Sequence, residues 1–150
     1  MSKRLACLMA TTVVITVACG SGGEAGGSAE PEVITVQHIL IGFAGSVSGK
    51  GITRSRGEAQ QLAEEVLKRA QGGEAFDVLV RENTDDSAPG IYKMANRGVP
   101  PDPKQKRFAR DSMVAAFGDV GFPLEVGEIG MAAYDPRKSP FGWHIIKRIE

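Results

Sequence analysis

The sequence has few residues of the types that bind metal ions or form disulfides. Its two cysteines, Cys7 and Cys19, both lie in the first nineteen residues, so the rest of the chain has neither a disulfide nor a thiolate metal site. The only histidines are His38 and His144, and no H-x-x-x-H pair occurs. We therefore expect no metal ion and no other cofactor.

The chain also lacks an excess of charge of either sign. Its 18 basic and 18 acidic residues balance to a formal net charge of zero. Without a basic excess, we expect no nucleic-acid partner. A hydrophobic content of 42% in 150 residues is enough for one domain with a packed core.

The first nineteen residues have the pattern of a targeting segment. Lys3 and Arg4 precede an uncharged, apolar run of about 14 residues, which is short for a bilayer core of about 30 Å. Val17-Ala18-Cys19-Gly20 then resembles the lipobox of bacterial lipoproteins, in which the signal is cut before a cysteine that becomes lipidated. The resemblance implies a lipoprotein signal segment with lipidation at Cys19. An ordinary cleaved signal and an uncleaved short anchor are the alternatives.

This interpretation places the protein outside the cytoplasm, on a bacterial membrane to which the lipid anchors it. Residues 20–32 are rich in glycine and serine and cannot build a core, so they predict a flexible tether. The residues from Val33 to Glu150 predict one folded domain.

The domain alternates between strand and helix patterns. Val33–Ile41 predicts a strand with Ile34, Val36, His38 and Leu40 on one face. Ser55 and Glu58 have the spacing of a capping box and begin an amphipathic helix that ends at Gly72-Gly73. The later elements are a helix from about Ala75 to Glu82, a short strand over Ile91–Ala95, an irregular excursion over Val99–Asp111, a short helix over Ser112–Phe117 that Gly118 ends, and strands over Gly127–Ala133 and Trp143–Ile149. This order predicts an α+β domain with a mostly antiparallel sheet.

Four motifs in this order resemble those of the parvulin-type peptidyl-prolyl cis-trans isomerases, also called rotamases. They are Val36-Gln37-His38-Ile39-Leu40-Ile41, Gly73-Glu74-Ala75-Phe76 with the later turn Thr84-Asp85-Asp86-Ser87, the series Met113, Phe117, Phe122 and Gly127-Glu128, and Phe141-Gly142-Trp143-His144-Ile145-Ile146. Each motif alone is weak, but four in the right order are specific. The resemblance implies a four-stranded, mostly antiparallel sheet surrounded by about four helices.

The resemblance also implies a catalytic site. His38 and His144 correspond to a facing histidine pair, Asp86 to a variable Cys/Asp position beside them, and Ser139 to a Ser/Thr near the second histidine. Alternatively, the histidines are mainly structural, Asp86 is a turn residue or helix cap, and Ser139 is a loop residue. The proline pocket corresponds to Met113 and Phe117, with Phe122 of a suitable type beside them; the alternative for the pair Met113 and Phe117 is ordinary core.

The implied reaction is rotation about an X–Pro peptide bond, over a barrier of about 18–20 kcal/mol. It breaks no covalent bond and needs no nucleophile, so a pocket for the proline and a suitable electrostatic field suffice. We expect the substrates to be unfolded or extended proline-containing polypeptides. One alternative is a peptide-binding chaperone or adaptor with little catalysis, because Gly90-Ile91-Tyr92-Lys93 departs from the family's G-D-L-G.

Overall fold

The computed structural model describes residues 29–150. The predicted signal segment, Cys19 and most of the predicted tether lie outside these residues. The described chain forms five strands: β1 (Val33–Ile41), β2 (Ile91–Ala95), β3 (Arg107–Ala109), β4 (Ile129–Ala132) and β5 (Trp143–Arg148). They make one sheet in the order β3-β2-β1-β5-β4. All neighbours are antiparallel except β2 and β3, which are parallel.

Three α-helices accompany the sheet: α1 (Arg56–Gln71), α2 (Phe76–Asn83) and α3 (Ala115–Gly121). The predicted capping box begins α1, because the Ser55 hydroxyl accepts a hydrogen bond from the Glu58 N–H and the Glu58 carboxylate accepts one from the Ser55 N–H. Two short 3₁₀ helices, Pro103–Gln105 and Arg110–Ser112, flank β3. None of the helices in residues 29–150 combines the length and apolar character that a membrane span requires.

The two faces of the sheet carry two separate hydrophobic cores. Ile39 and Ile41 of β1 pack with α1 and α2 on one face. Ile34 and Val36 lie on the other face, in a cluster that includes Phe117 of α3. The shared face predicted for alternate residues of β1 is therefore confirmed, and His38 lies on the α3 side.

The α+β class is confirmed, but the sheet has five strands rather than the expected four. The extra strand is β3, which lies inside the excursion that the sequence predicted to be irregular. With only three residues it is too short to show an alternating pattern, and its parallel pairing with β2 depends on tertiary contacts. Within residues 29–150, three α-helices and two 3₁₀ helices stand where about four helices were expected.

The boundaries of α3 differ from the prediction of a helix over Ser112–Phe117. Met113 is extended, the helix begins at Ala115, and Gly118 lies inside it instead of ending it. Gly118 packs against the side chain of Arg110, and a Cβ atom there would come within 2.8 Å of the Arg110 Cγ atom. The glycine therefore allows a close approach between side chain and helix, rather than marking the helix end.

Arg110 also connects α3 to the residues before β1. Its guanidinium is buried and lies 2.6 Å from a Glu30 carboxylate oxygen and 3.1 Å from one of Asp119. It also stacks over the Phe122 ring, 4.7 Å from the centroid. The last residues of the predicted tether thus already contact the domain, and Arg110 is the buried side of that contact.

Candidate active site

Two adjacent central strands bring the histidines together. In the antiparallel register of β1 and β5, His38 lies opposite Ile146 and His144 opposite Leu40, so the two histidines are diagonal neighbours on one face. Their Nδ1 atoms are 3.3 Å apart, and the rings are nearly parallel, at 16°. Both side chains are buried.

A carboxylate and a phenol extend this pair toward solvent. The Oδ2 atom of Asp86 lies 3.1 Å from Nε2 of His38 and accepts a hydrogen bond from the Tyr92 hydroxyl at 2.9 Å. The Asp86 side chain is 33% exposed, whereas that of His38 is 4% exposed. The four side chains form a continuous relay from the edge of the site to the buried ring of His144.

The loop after α2 positions Asp86 through hydrogen bonds to β1. The Thr84 hydroxyl accepts from the backbone N–H groups of Leu40 and Asp86, and the Asp85 N–H donates to the Leu40 carbonyl at 2.8 Å. The Asp85 carboxylate accepts from the Gly42 N–H and pairs with an arginine. These contacts attach the loop to the strand that carries His38, which fixes Asp86 beside the ring.

The electrostatics define the charge states of the relay. The hydrogen bond from His38 holds the pKa of Asp86 well below its usual value, although burial acts in the opposite direction. Burial, together with Asp86, raises the pKa of Tyr92 to about 12. Burial and the nearby His38 ring lower the pKa of His144 to about 3. At neutral pH, Asp86 is therefore an anion and His144 a neutral ring.

These charge states restrict the proton positions. A carboxylate only accepts hydrogen bonds, so Nε2 of His38 carries a proton and donates it to Asp86. In the neutral form of His38, Nδ1 then accepts from Nδ1–H of His144. The Nε2 atom of His144 is left as a buried lone pair with no hydrogen-bond partner within residues 29–150.

An apolar groove of about 270 Å³ lies directly against this relay. Phe117 forms its floor: it is 2% exposed, and its ring meets those of His38, His144 and Tyr92 edge to face, at 5.0, 5.7 and 5.9 Å between centroids. The remaining lining residues are Leu40, Val47, Asp86, Met113, Val114 and Phe141. The structure thus brings together five predicted site residues: His38, Asp86, Met113, Phe117 and His144.

The structure does not place Phe122 and Ser139 in the groove lining. Phe122 is 1% exposed and packs in the core below α3, because its ring faces the Arg110 guanidinium instead of the groove. Ser139 is buried in the loop before β5, where its hydroxyl donates to the Gly142 carbonyl at 2.7 Å. Ser139 therefore shapes the start of the strand that carries His144.

Tyr92 is the main site residue that the sequence prediction missed. It lies in the segment that departs from the family motif, so the resemblance gave it no role. The alternation of β2 was the available signal, since Tyr92 lies opposite Val36 and on the same face as His38. Leu40, Val47, Val114 and Phe141 were also missed as lining residues, because apolar side chains are indistinguishable from core in the sequence.

Comparison with known proteins identifies the family to which the chain belongs. Residues 25–150 match the family model described as the PPIC-type peptidyl-prolyl isomerase domain. The chain therefore belongs to this family, and its activity is peptidyl-prolyl cis-trans isomerisation. The resemblance seen in the sequence motifs is confirmed.

Individual relatives are similar to different extents. The chain is 34% identical over 133 residues to dodo of Drosophila melanogaster, which is named as a peptidyl-prolyl cis-trans isomerase; the match covers 85% of this chain and 72% of that protein. It is 31% identical over 113 residues to Chaperone SurA of Chromohalobacter salexigens, covering 75% of this chain and 21% of SurA. The chain thus spans only about a fifth of SurA's length.

A solved structure shares the fold. The peptidyl-prolyl isomerase ESS1 from Candida albicans superposes with a TM-score of 0.57 at 22% sequence identity, over 79% of this chain and 63% of ESS1. At this level of identity the likeness concerns the fold alone.

Proposed function

We propose that the groove holds a proline ring against Phe117 and Met113. Three members of the relay, Asp86, His38 and His144, orient the polar surroundings of the rotating amide. The observation that carries this proposal is that one buried aromatic ring, Phe117, forms the floor of the groove and also contacts both histidines. The surface that would bind the proline and the histidine side chains that would set the electrostatic field around the amide are thus both in contact with the Phe117 ring.

The physics of the reaction requires no covalent step. A planar amide is stabilised by resonance that separates charge, and a twisted amide loses that resonance. A groove with an apolar lining favours the less polar, twisted state over the planar one, which is differential binding of the transition state. Lowering the barrier by about 5.5 kcal/mol gives about 10⁴-fold acceleration. The neutral His144 and the anionic Asp86 are fixed in advance, so the field needs no rearrangement during rotation.

Two buried phenylalanines provide a matched test. Phe117→Leu and Phe122→Leu remove rings of equal burial from the same hydrophobic cluster, but only Phe117 lines the groove. We expect both variants to lose about 1–2 kcal/mol of stability. In an assay with a short X–Pro peptide, kcat/KM should fall about tenfold for Phe117→Leu, since its ring contacts are lost, and less than about twofold for Phe122→Leu.

Equal losses of activity in the two variants would show that Phe117 acts only through stability. A wild-type protein that gives no isomerisation above background on varied X–Pro peptides would refute catalysis at the groove.

We further propose that the substrates are unfolded or extended proline-containing polypeptides outside the cytoplasm. The signal-like pattern of the first nineteen residues supports this location, and the similarity to a protein named as a chaperone supports unfolded polypeptides as substrates. Asp86 and Phe141, which line the groove, remain partly open to solvent, so we expect the groove to admit a chain that continues beyond the proline.

The same proposal divides the chain into a lipoprotein signal over residues 1–19, a tether over 20–32 and an isomerase domain from Val33 onward. The two cysteines allow a direct test of the membrane anchor. Expressed in a bacterium with a labelled fatty acid, the full chain should incorporate label, the Cys19→Ser variant should not, and Cys7→Ser should behave as the wild type. Label retained in Cys19→Ser would contradict lipidation at that residue.

A further inference from the structure

The outer side of β2 is covered along only part of its length. β1 pairs with all of Ile91–Ala95, whereas β3 pairs only with Lys93–Ala95. Within residues 29–150, no strand lies on the outer side of Ile91 and Tyr92. An open strand edge of this kind is a template for pairing with a further extended chain.

A second cleft, of about 490 Å³, lies at this open edge. It exposes two large apolar side chains, with Ile91 49% and Phe108 44% accessible to solvent. Other lining residues are Pro89, Tyr92, Lys93 and Lys106. Because successive side chains of a strand point to opposite faces, Ile91 and Tyr92 present the two sides of the open edge to an incoming chain.

This cleft adjoins the catalytic groove, because Tyr92 lines both. Its ring lies 5.2 Å from the His38 ring on one side and 6.2 Å from the Phe108 ring on the other. The His38 and Phe108 rings are therefore at most about 11 Å apart, a distance that an extended polypeptide, at about 3.3 Å per residue, spans in about three to four residues.

We propose that the cleft is a second substrate subsite, which binds an extended, apolar segment of the same polypeptide whose X–Pro bond occupies the groove. This inference rests on the proposed function of the groove. The open edge selects an extended backbone, and the exposed Ile91 and Phe108 select apolar side chains. Both properties are displayed by unfolded chains and hidden in folded ones. The cleft would therefore direct the enzyme to unfolded substrates and leave short peptides unaffected.

The test compares two kinds of substrate. One is a four-residue X–Pro peptide that reaches only the groove. The other is a set of four twelve-residue peptides with the same X–Pro bond. In one pair, leucines or serines lie three to five positions before the proline. In the other pair, they lie three to five positions after it. Exchange NMR measures kcat/KM for each peptide with the wild type and with Ile91→Ser, Phe108→Ser and Val126→Ser. Val126 is the matched control, since it is exposed and apolar (62%) but lies beside β4, at the opposite edge of the sheet.

For one of the two placements, we expect the wild type to prefer leucine over serine by about tenfold, through a lower KM. Ile91→Ser and Phe108→Ser should each reduce this preference by at least about threefold, and Val126→Ser should keep it. All three variants should retain wild-type kcat/KM on the short peptide. A preference that is absent in the wild type, or unchanged in both cleft variants, would overturn the subsite. If the wild type did not isomerise the short peptide at all, the function proposed for the groove would instead be refuted.

Discussion

Acidification is predicted to destabilise the domain through His144, at pH values where carboxylates are still ionised. Burial, with a smaller contribution from His38, lowers the pKa of this ring from 6.5 to about 3. The unfolded chain exposes the ring, which then titrates near 6.5. Between these two values the unfolded state binds a proton that the folded state does not bind. The stability due to neutral His144 is therefore complete above pH 6.5 and is lost as the pH falls through this window.

The size of this effect follows from the two pKa values. Each pH unit in which only the unfolded ring is protonated costs about 1.4 kcal/mol. Between pH 6 and pH 4.5 the free energy of unfolding should thus fall by about 2 kcal/mol because of His144 alone. Urea unfolding at several pH values measures this loss. In the His144→Gln variant the loss should shrink by about 2 kcal/mol, because the titrating ring is absent.

The other histidine provides the control. The His38→Gln variant should keep most of the pH dependence due to His144, because burial is the largest cause of the shift and remains in that variant. The reasoning would be refuted if His144→Gln had the same pH dependence as the wild type. It would also be refuted if the ring protons of His144 titrated near 6.5 in an NMR experiment on the folded protein.

Three further substitutions, and Gly98→Ala as a control for the first of them, test how the site and the domain around it are held in place, each by urea unfolding and by isomerase assay. Gly90→Ala should cost more than about 2 kcal/mol, because φ is +66° and the new Cβ atom would lie 2.5 Å from a β1 carbonyl oxygen; Gly98→Ala, with φ of +83° and open space, should cost about 1 kcal/mol. Tyr92→Phe should lower stability by about 1 kcal/mol and kcat/KM a few-fold, since Asp86 loses a hydrogen bond. Arg110→Met should cost only about 1 kcal/mol, because Glu30 and Asp119 lose an ion pair but are 40% and 46% exposed, so water can solvate the carboxylates that remain. Unchanged stability in any of these variants would contradict its assignment.

Local patterns predicted the elements whose residues interact mainly with their sequence neighbours. The capping box at Ser55 and Glu58 and the alternation of β1 depend on contacts within a few residues, and both are present as expected. Both boundaries of α3 were wrong: the helix begins three residues later than predicted and continues past Gly118, which packs against Arg110. That contact joins a 3₁₀ helix to an α-helix, and helical periodicity alone gives no sign of it.

The same difference between local patterns and tertiary contacts applies to the predicted site residues. His38 and His144 were paired through the family motifs, and the register of β1 and β5 does bring their rings together. Phe122 has the residue type of a pocket residue, but the direction of its ring is set by the Arg110 guanidinium. Tyr92 was missed because its role requires Asp86, which lies in a separate loop. Residue type thus indicated the candidates, and tertiary contacts decided which of them face the groove.

One set of contacts fixes both the register of β1 and the geometry of the site. A shift of β1 by one residue would move His38 to the face covered by α1 and α2 and bring Ile39 into the groove. The loop after α2 opposes such a shift, because Thr84 and Asp85 bond to the backbone of Leu40 and Gly42 at fixed positions. The next residue of the same loop is Asp86, which binds His38. The hydrogen bonds that hold the strand in register are therefore also those that hold the carboxylate against the ring, so the histidine relay can form only when β1 is correctly placed.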